Sequence, residues 1–327
     1  MEKNFNFLKM KVLLTGSTGL LGKACFETKP KKVQLHGLYF RKNSALNPKN
    51  FIKIDIRNKK CVDKIFANNK YDAVIHAAGI ASVDYVKNNY AESLESNIVG
   101  TLNISSACRK NNVFMVYISS NAVFDGFRPP YHEESKPNPV NEYGQIKLEC
   151  EKLIEKTLPT ALICRPILMY GWNHHWGRPN PVTWLLNKLI DNEEVKIVTD
   201  VWENPIYNLD CAKALWSAVA LKPSGKMHLA GPEVISRYEL AIKTVEIFGL
   251  NPALITPVKS NYFSHLAKRP KNTSFSINKM STKLKYTPLS INEGLLDMKK
   301  NLFKKIKNRK TLTQISSNIL DYYKNLT

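Results

Sequence analysis

Thr15-Gly16-Ser17-Thr18-Gly19-Leu20-Leu21-Gly22 decides the fold. The run follows directly on the apolar stretch Lys11–Thr15 (KVLLT) and opens an amphipathic one, Leu20–Glu27, so it reads as a turn from a strand into a helix. Gly16 permits a sharp turn, Gly19 lets backbone approach a pyrophosphate with no side chain between, and Gly22 lets the helix lie close on the strand. Unpaired N–H groups at the helix start then face the phosphates. The spacing T-G-x-x-G-x-x-G is one residue longer than the G-x-G-x-x-G fingerprint of dinucleotide-binding folds. Glycines are common at any turn, so the inference rests on the position after the first strand of a strand–helix–strand unit.

Working outward, Val33–Phe40, Phe51–Ile56, Asp72–Ala78 and Phe114–Ser120 read as further strands, with helices at Val86–Lys110 and Val140–Lys156. Thr160–Arg165 and Val195–Thr199 continue the pattern, and Leu209–Leu221 is another apolar-rich helix. Alternation at this spacing means a parallel sheet covered on both faces, a doubly wound (Rossmann) α/β fold. Residues 10–170 and 195–223 are assigned to the NAD(P)-binding unit. Residues 171–194 and 224–300 are assigned to a smaller α/β substrate-binding unit, and 301–327 to a basic C-terminal tail.

The chain has 327 residues, 43% hydrophobic, with a formal net charge of +21. Of its 48 basic residues 39 are Lys and 9 are Arg, a balance that suits an ordinary solvated surface as well as attraction of a polyanion. No nucleic-acid module accompanies the charge, so no nucleic acid is expected as a partner. Six scattered cysteines without a C-x-x-C pair exclude a zinc ribbon and a disulfide scaffold. With no long apolar run and no signal peptide, a cytoplasmic protein without membrane contact is expected. Leu295, Leu296, Leu302, Phe303 and Ile306 form the apolar side of a lysine-rich helix expected to dock on the body of the protein.

The end of the second strand sets cofactor choice. Arg41 stands where NAD-specific folds place an acid, and a cation suits the 2′-phosphate of NADP. NADP(H) is therefore favoured, with NAD(H) left open. Asp55 and Ile56 after the third strand, Ala77, Ala78 and Gly79 after the fourth, and Asn97 on the long helix complete the expected cofactor contacts, with Gly16 to Gly22 at the phosphates.

Tyr143-Gly144-Gln145-Ile146-Lys147 places a phenol and an ammonium one helical turn apart. A nearby cation favours phenolate, which draws the tyrosine toward acid–base work. With 14 Tyr and 39 Lys in 327 positions, chance gives about 1.7 such pairs (14 × 39/327). What carries the inference is the position of the pair, 23 residues after Ser120 at the tip of the fifth strand, where a hydroxyl can hydrogen-bond a substrate carbonyl.

TGSTGLLG, HAAG, SSNAVFDG and YGQIK in this order resemble the extended short-chain dehydrogenase/reductases. Ser82-Val83-Asp84, Asn97–Thr101, Asn204-Pro205-Ile206-Tyr207 with Asp210, Ser236–Glu239 and Lys268–Thr273 are similar to the dTDP-4-dehydrorhamnose reductase family within them. The resemblance covers residues 10 to 298. It implies that Ser120 polarises a C4 ketone, that Tyr143 donates a proton to it, and that Lys147 holds the nicotinamide ribose while NADPH delivers hydride. Ser120 stands where that family has Thr, Asn121 where it has Asp, and Ala122 where it has an aromatic. The Asp-Glu pair that sugar-nucleotide dehydratases use is absent, which argues against elimination of water.

Val83, Asp84, Asn121, Trp172 and Arg269 are the expected substrate contacts, Arg269 because its planar fork matches diphosphate oxygens. Neighbouring histidines His174 and His175 point apart, and no metal site is expected. The sequence thus reads as an NADPH-dependent reductase of the 4-keto group of a nucleotide-linked 6-deoxysugar, serving deoxysugar and cell-surface polysaccharide synthesis. A nucleotide-sugar epimerase with retained NAD and an NADP-binding regulatory subunit of another enzyme are the alternatives, and a homodimer stays open.

Overall fold

The computed structural model describes residues 9–40, 49–307 and 317–324. Seven strands form one sheet whose pairings are all parallel: β1 (Met10–Thr15), β2 (Val33–Tyr39), β3 (Phe51–Lys53), β4 (Ala73–His76), β5 (Phe114–Ile118), β6 (Leu162–Pro166) and a last strand, Gly225–Leu229. Their order from one edge is Gly225–Leu229, β6, β5, β4, β1, β2, β3. Strand order reverses between β1 and β4, and a crevice opens there at the carboxyl ends.

Strand interiors are apolar on both sides because both faces are covered. Val12 and Leu14 pack with α1 (Leu20–Glu27) and α7 (Asn208–Leu221). Leu13, one residue out of phase, packs on the opposite face with α2 (Lys59–Ala67), α3 (Val83–Asn88), α4 (Tyr90–Lys110) and α5 (Glu142–Thr157). The single helix expected from Val86 to Lys110 is thus two. Asn89 leaves helical geometry (φ −137°, ψ 53°), closing α3 and opening α4.

A second core lies beside the sheet. It joins α6 (Pro181–Ile190), α8 (Arg237–Phe248), α10 (Ile291–Lys307) and α11 (Ser317–Lys324). Capping boxes start α6 at Asn180 and α8 at Ser236, each satisfying otherwise unpaired N–H groups. α10 buries Ile291, Leu295, Met298 and Leu302 on one stripe, as expected of a docking helix, while Leu296 stays on the exposed side. α9 (Asn278–Lys283) instead returns to the large sheet with Met280 buried.

Two boundaries differ from the expectation. Val195–Val198 pairs with Ile255–Val258 rather than with the large sheet, and Val195 packs in the second core. Conversely Gly225–Leu229, expected in the smaller unit, completes the large sheet beside β6, where Met227 and Leu229 are buried. A short isolated strand carries no sequence mark of which sheet edge it will join. Among the described residues no helix is long and apolar enough to cross a membrane.

Candidate active site

A cleft of about 600 Å³ opens at the carboxyl ends of β1, β4, β5 and β6. Its floor is the glycine turn. Gly16 has φ +68°, and a Cβ there would stand 2.6 Å from the Ala77 carbonyl oxygen; a Cβ on Gly22 would stand 2.4 Å from the Gly16 oxygen. Turn, β4 and helix therefore close on one another only without side chains. α1 begins at Leu20 with no side-chain cap, so its N-terminal N–H groups remain available to an anion. Thr18, Leu20 and Leu21 line the same cleft, as do Ala77 and Gly79. This is a cradle of the shape and polarity that a dinucleotide pyrophosphate requires.

Ser120 follows β5 and sits on the cleft wall opposite the α5 residues Tyr143 and Lys147. Asn141 caps α5, its side chain accepting from the Gly144 N–H at 2.9 Å, which fixes where Tyr143 enters. Lys147 Nζ donates to the Ile118 carbonyl at 2.9 Å and to the Tyr117 hydroxyl at 3.3 Å, holding the ammonium under the strand tip. Nearby, His76 is enclosed between Thr15 Oγ1 (2.7 Å from Nδ1) and Thr101 Oγ1 (3.1 Å from Nε2). Burial, and secondarily the Lys147 charge, push its pKa down to about 3, so the imidazole is neutral.

Below the wall a second layer holds the strand tip. Ser119 Oγ donates to Glu151, one turn beyond Lys147, and Glu151 takes a bidentate pair from the fully buried Arg165 of β6 (2.9 and 2.7 Å). The geometry of Ser120 is thereby tied to α5 and β6 at once.

The cleft continues into an outer cavity of about 930 Å³, and the two share Arg178, Arg237 and Arg269. Lys196, Lys268 and Lys271 line the outer part too, and among the described residues no acidic side chain does. Trp184 and Phe263 add aromatic surface. The arrangement suits a ligand with an aromatic end and at least two negative charges.

Of the expected residues, the structure brings Gly16, Thr18, Gly19, Leu20, Leu21 and Gly22, then Ala77, Gly79, Val83, Ser120 and Asn121, and finally Tyr143, Lys147 and Arg269 to this one cleft. Others it places elsewhere. The Ser17 hydroxyl turns inward to the Leu38 carbonyl (2.8 Å). Asp55, just past the carboxyl end of β3, is ion-paired with Arg57 at 2.7 Å, which holds its carboxyl below the ordinary range, and Ile56 packs against Gly100. The Ala78 N–H is taken by Thr15 Oγ1, and Asn97 is buried behind Gly79. Arg41 lies outside the described residues. Trp172 is corrected outright. It is 4% exposed, its indole N–H donates to the Met298 carbonyl at 2.8 Å, and it belongs to the second core. Asp84 does not line the cleft but pairs with Arg269 at 2.6 Å. Burial raises its carboxyl pKa, and the hydrogen bonds from Arg269 and the Ala267 N–H outweigh that and hold it low.

Asn173, Arg178, Glu203 and Arg237 line the cleft without having been singled out. Arg237 stood within the Ser236–Glu239 stretch already noted, and Arg178 ends the stretch Gly171–Arg178, whose aromatic and cationic groups could stack on a base or grip a diphosphate; what the sequence does not mark is which of those side chains turn into the cleft.

The glycine turn, the strand-end hydroxyl and the Tyr143–Lys147 helix on one cleft define a short-chain dehydrogenase/reductase, an NAD(P)-dependent oxidoreductase class. Within that class the family described as RmlD substrate binding domain matches residues 10–303, and the chain belongs to it. The chain is 30% identical over 291 residues to methionine adenosyltransferase 2 subunit beta of Bos taurus, covering 86% of this chain and 84% of that one. It is 26% identical over 287 residues to dTDP-4-dehydrorhamnose reductase of Mycolicibacterium smegmatis, covering 86% and 82%. The crystal structure of dTDP-4-dehydrorhamnose reductase from Bacillus anthracis in complex with NADP matches with a TM-score of 0.77 at 25% identity, over 90% of this chain and 100% of that chain.

Proposed function

We propose that the protein is an NADPH-dependent reductase of the 4-keto group of a nucleotide-linked 6-deoxysugar. The observation that carries this is the placement of Ser120, Tyr143 and Lys147 on one cleft with the glycine turn, opening into a cavity walled by cations. The cofactor, when bound, supplies hydride. Gly16 to Gly22 and the start of α1 hold its pyrophosphate, and Lys147 its nicotinamide ribose. Ser120 donates a hydrogen bond to the ketone oxygen as charge develops there, and Tyr143 transfers the proton that completes the alcohol. Arg178, Arg237 and Arg269 grip the diphosphate of the sugar nucleotide, with the base in the outer cavity. The strands around the glycine turn form the cofactor unit, and the second core backs the substrate unit. The resemblance to a reductase solved with NADP favours that cofactor over NAD.

The test is loss of reduced-nicotinamide absorbance with NADPH and a panel of 4-keto-6-deoxy sugar nucleotides. Tyr143→Phe should lower kcat by at least about 100-fold, the size of a lost general acid, with NADPH affinity kept. Unchanged turnover in that variant would sink the mechanism.

A second reading is favoured by a specific observation: 30% identity over most of its length to a methionine adenosyltransferase subunit. In that case the chain is an NADP-binding regulatory subunit. NADPH binding with no oxidation of any panel member, together with stoichiometric co-purification of a catalytic partner, would establish it.

A further inference from the structure

Asn121 follows Ser120, and its side chain is held from two remote parts of the chain. Its Nδ2 donates to Glu203 Oε1 at 3.1 Å and to Thr273 Oγ1 at 2.7 Å, so both amide protons are committed. An ionised carboxylate only accepts, and turning the amide over would set acceptor against acceptor. Glu203 is 7% exposed, with the Arg237 guanidinium 2.7 Å from its other oxygen at the first turn of α8. The strand Trp202–Glu203 is paired with Ile235–Ser236, and the Thr273 N–H donates to the Trp202 carbonyl, so both acceptors are built into the same short ladder. The atom left over, Asn121 Oδ1, faces Ser120. The Ser120 hydroxyl donates to it at 3.3 Å and accepts from the Ala122 N–H at 3.2 Å.

We propose that Glu203 and Thr273 are positioning residues that lock the Asn121 amide and thereby set the direction of the Ser120 hydroxyl proton. Asn121 and Glu203 act as one unit, amide at the first position and acid at the second. The inference rests on the reductase reading above. Before substrate arrives the Ser120 proton rests on a neutral oxygen across a long contact, and an incoming ketone oxygen competes for it on even terms. A carboxylate at position 121 would hold that proton about twice as strongly. It would also meet the Glu203 carboxylate at hydrogen-bond distance, where two like charges do not coexist.

Asn121→Asp, Glu203→Gln and the double variant test this in the full-length protein, by kcat and KM with the sugar nucleotide the wild type reduces, NADPH affinity, and melting temperature. Asn121→Asp should lower kcat roughly thirtyfold and Glu203→Gln severalfold, because an amide at position 203 no longer dictates which way the Asn121 amide faces. The double variant should be about tenfold faster than Asn121→Asp, since the amide introduced at position 203 can donate to the carboxylate introduced at position 121. NADPH affinity should stay within about twofold throughout, as no cofactor contact changes. Should Asn121→Asp fail to fold, Thr273→Val removes one acceptor at constant volume and should lower kcat about threefold. A purely structural pair would move melting temperatures without this rescue of kcat. A double variant no faster than Asn121→Asp overturns the proposal and leaves the reductase standing. A wild type that turns over no panel member overturns the reductase reading, and with it the role given to Ser120.

Discussion

At Gly16 a left-handed backbone and a 2.6 Å approach to Ala77 coincide, so the position tolerates no Cβ for two independent reasons. Gly16→Ala should cost at least about 2 kcal/mol of stability and weaken NADPH binding, both read from urea unfolding and fluorescence titration; a variant as stable as wild type would show that β4 can yield. Residues whose placement follows from a fixed local spacing, such as Ser120 at a strand tip and Tyr143 with Lys147 on one helix face, were legible in the sequence. Trp172 was not. An aromatic after β6 can turn toward the cleft or away from it, and the choice is made by a carbonyl 126 residues further on, at Met298. For Ser17 and Asp55 the sequence marked the turn but not the side chain's direction: the Ser17 hydroxyl bonds the Leu38 carbonyl and the Asp55 carboxylate pairs with Arg57. Asn121 was legible as a departure from a pattern, while its partners Glu203 and Thr273 became visible only in three dimensions.

Among elements, strands flanked by helices announced themselves through apolar runs at regular spacing, which is why six of the sheet's strands could be read in order. Gly225–Leu229 could not, because its KMHL mixes a cation and a histidine with apolar residues. The histidine is His228, packed ring to ring with Phe275 (3.8 Å) and 3.2 Å from the Tyr131 carbonyl through Nδ1. A carbonyl only accepts, so Nδ1 carries the proton and Nε2 faces Arg165 bare. Burial first and Arg165 second push its pKa down to about 2. His76 bridges β1 and α4 in the same uncharged state. Both folded values lie below an unfolded value near ~6.5, so the unfolded chain binds more protons as the pH falls. Stability is complete above that value and declines below it, by roughly 1.4 kcal/mol per pH unit for each histidine. Urea midpoints between pH 7 and 5, before most carboxylates titrate, should show the decline, and His228→Gln should lessen it. A flat profile over that window would contradict the buried, neutral assignment.

At the scale of the molecule, two cores of different construction share one cleft, and the second depends on the C-terminal helices. Ile319 and Tyr323 of α11 are buried there, and the Tyr323 hydroxyl donates to the Phe248 carbonyl at 2.7 Å. A chain ended after residue 307 should lose about 3 to 5 kcal/mol, the scale of emptying a large aromatic site, while binding NADPH as before, since the glycine turn lies in the other core. Loss of cofactor affinity on that truncation would mean that the cores are not separable. Chain order has a consequence of its own. The sheet is finished by Gly225–Leu229 beside β6, whose five residues are all buried in the folded state. During synthesis β6 emerges first and waits with a bare apolar edge while the ribosome makes the chain as far as residue 229, roughly 3 to 12 seconds at about 5–20 residues per second. Glu203 and Thr273, which orient Asn121, also come from ribosomal stages well after the residue they hold. The protein is therefore most in need of a holding chaperone midway through its own translation, and its cleft is completed only once residues as late as Thr273 have been made.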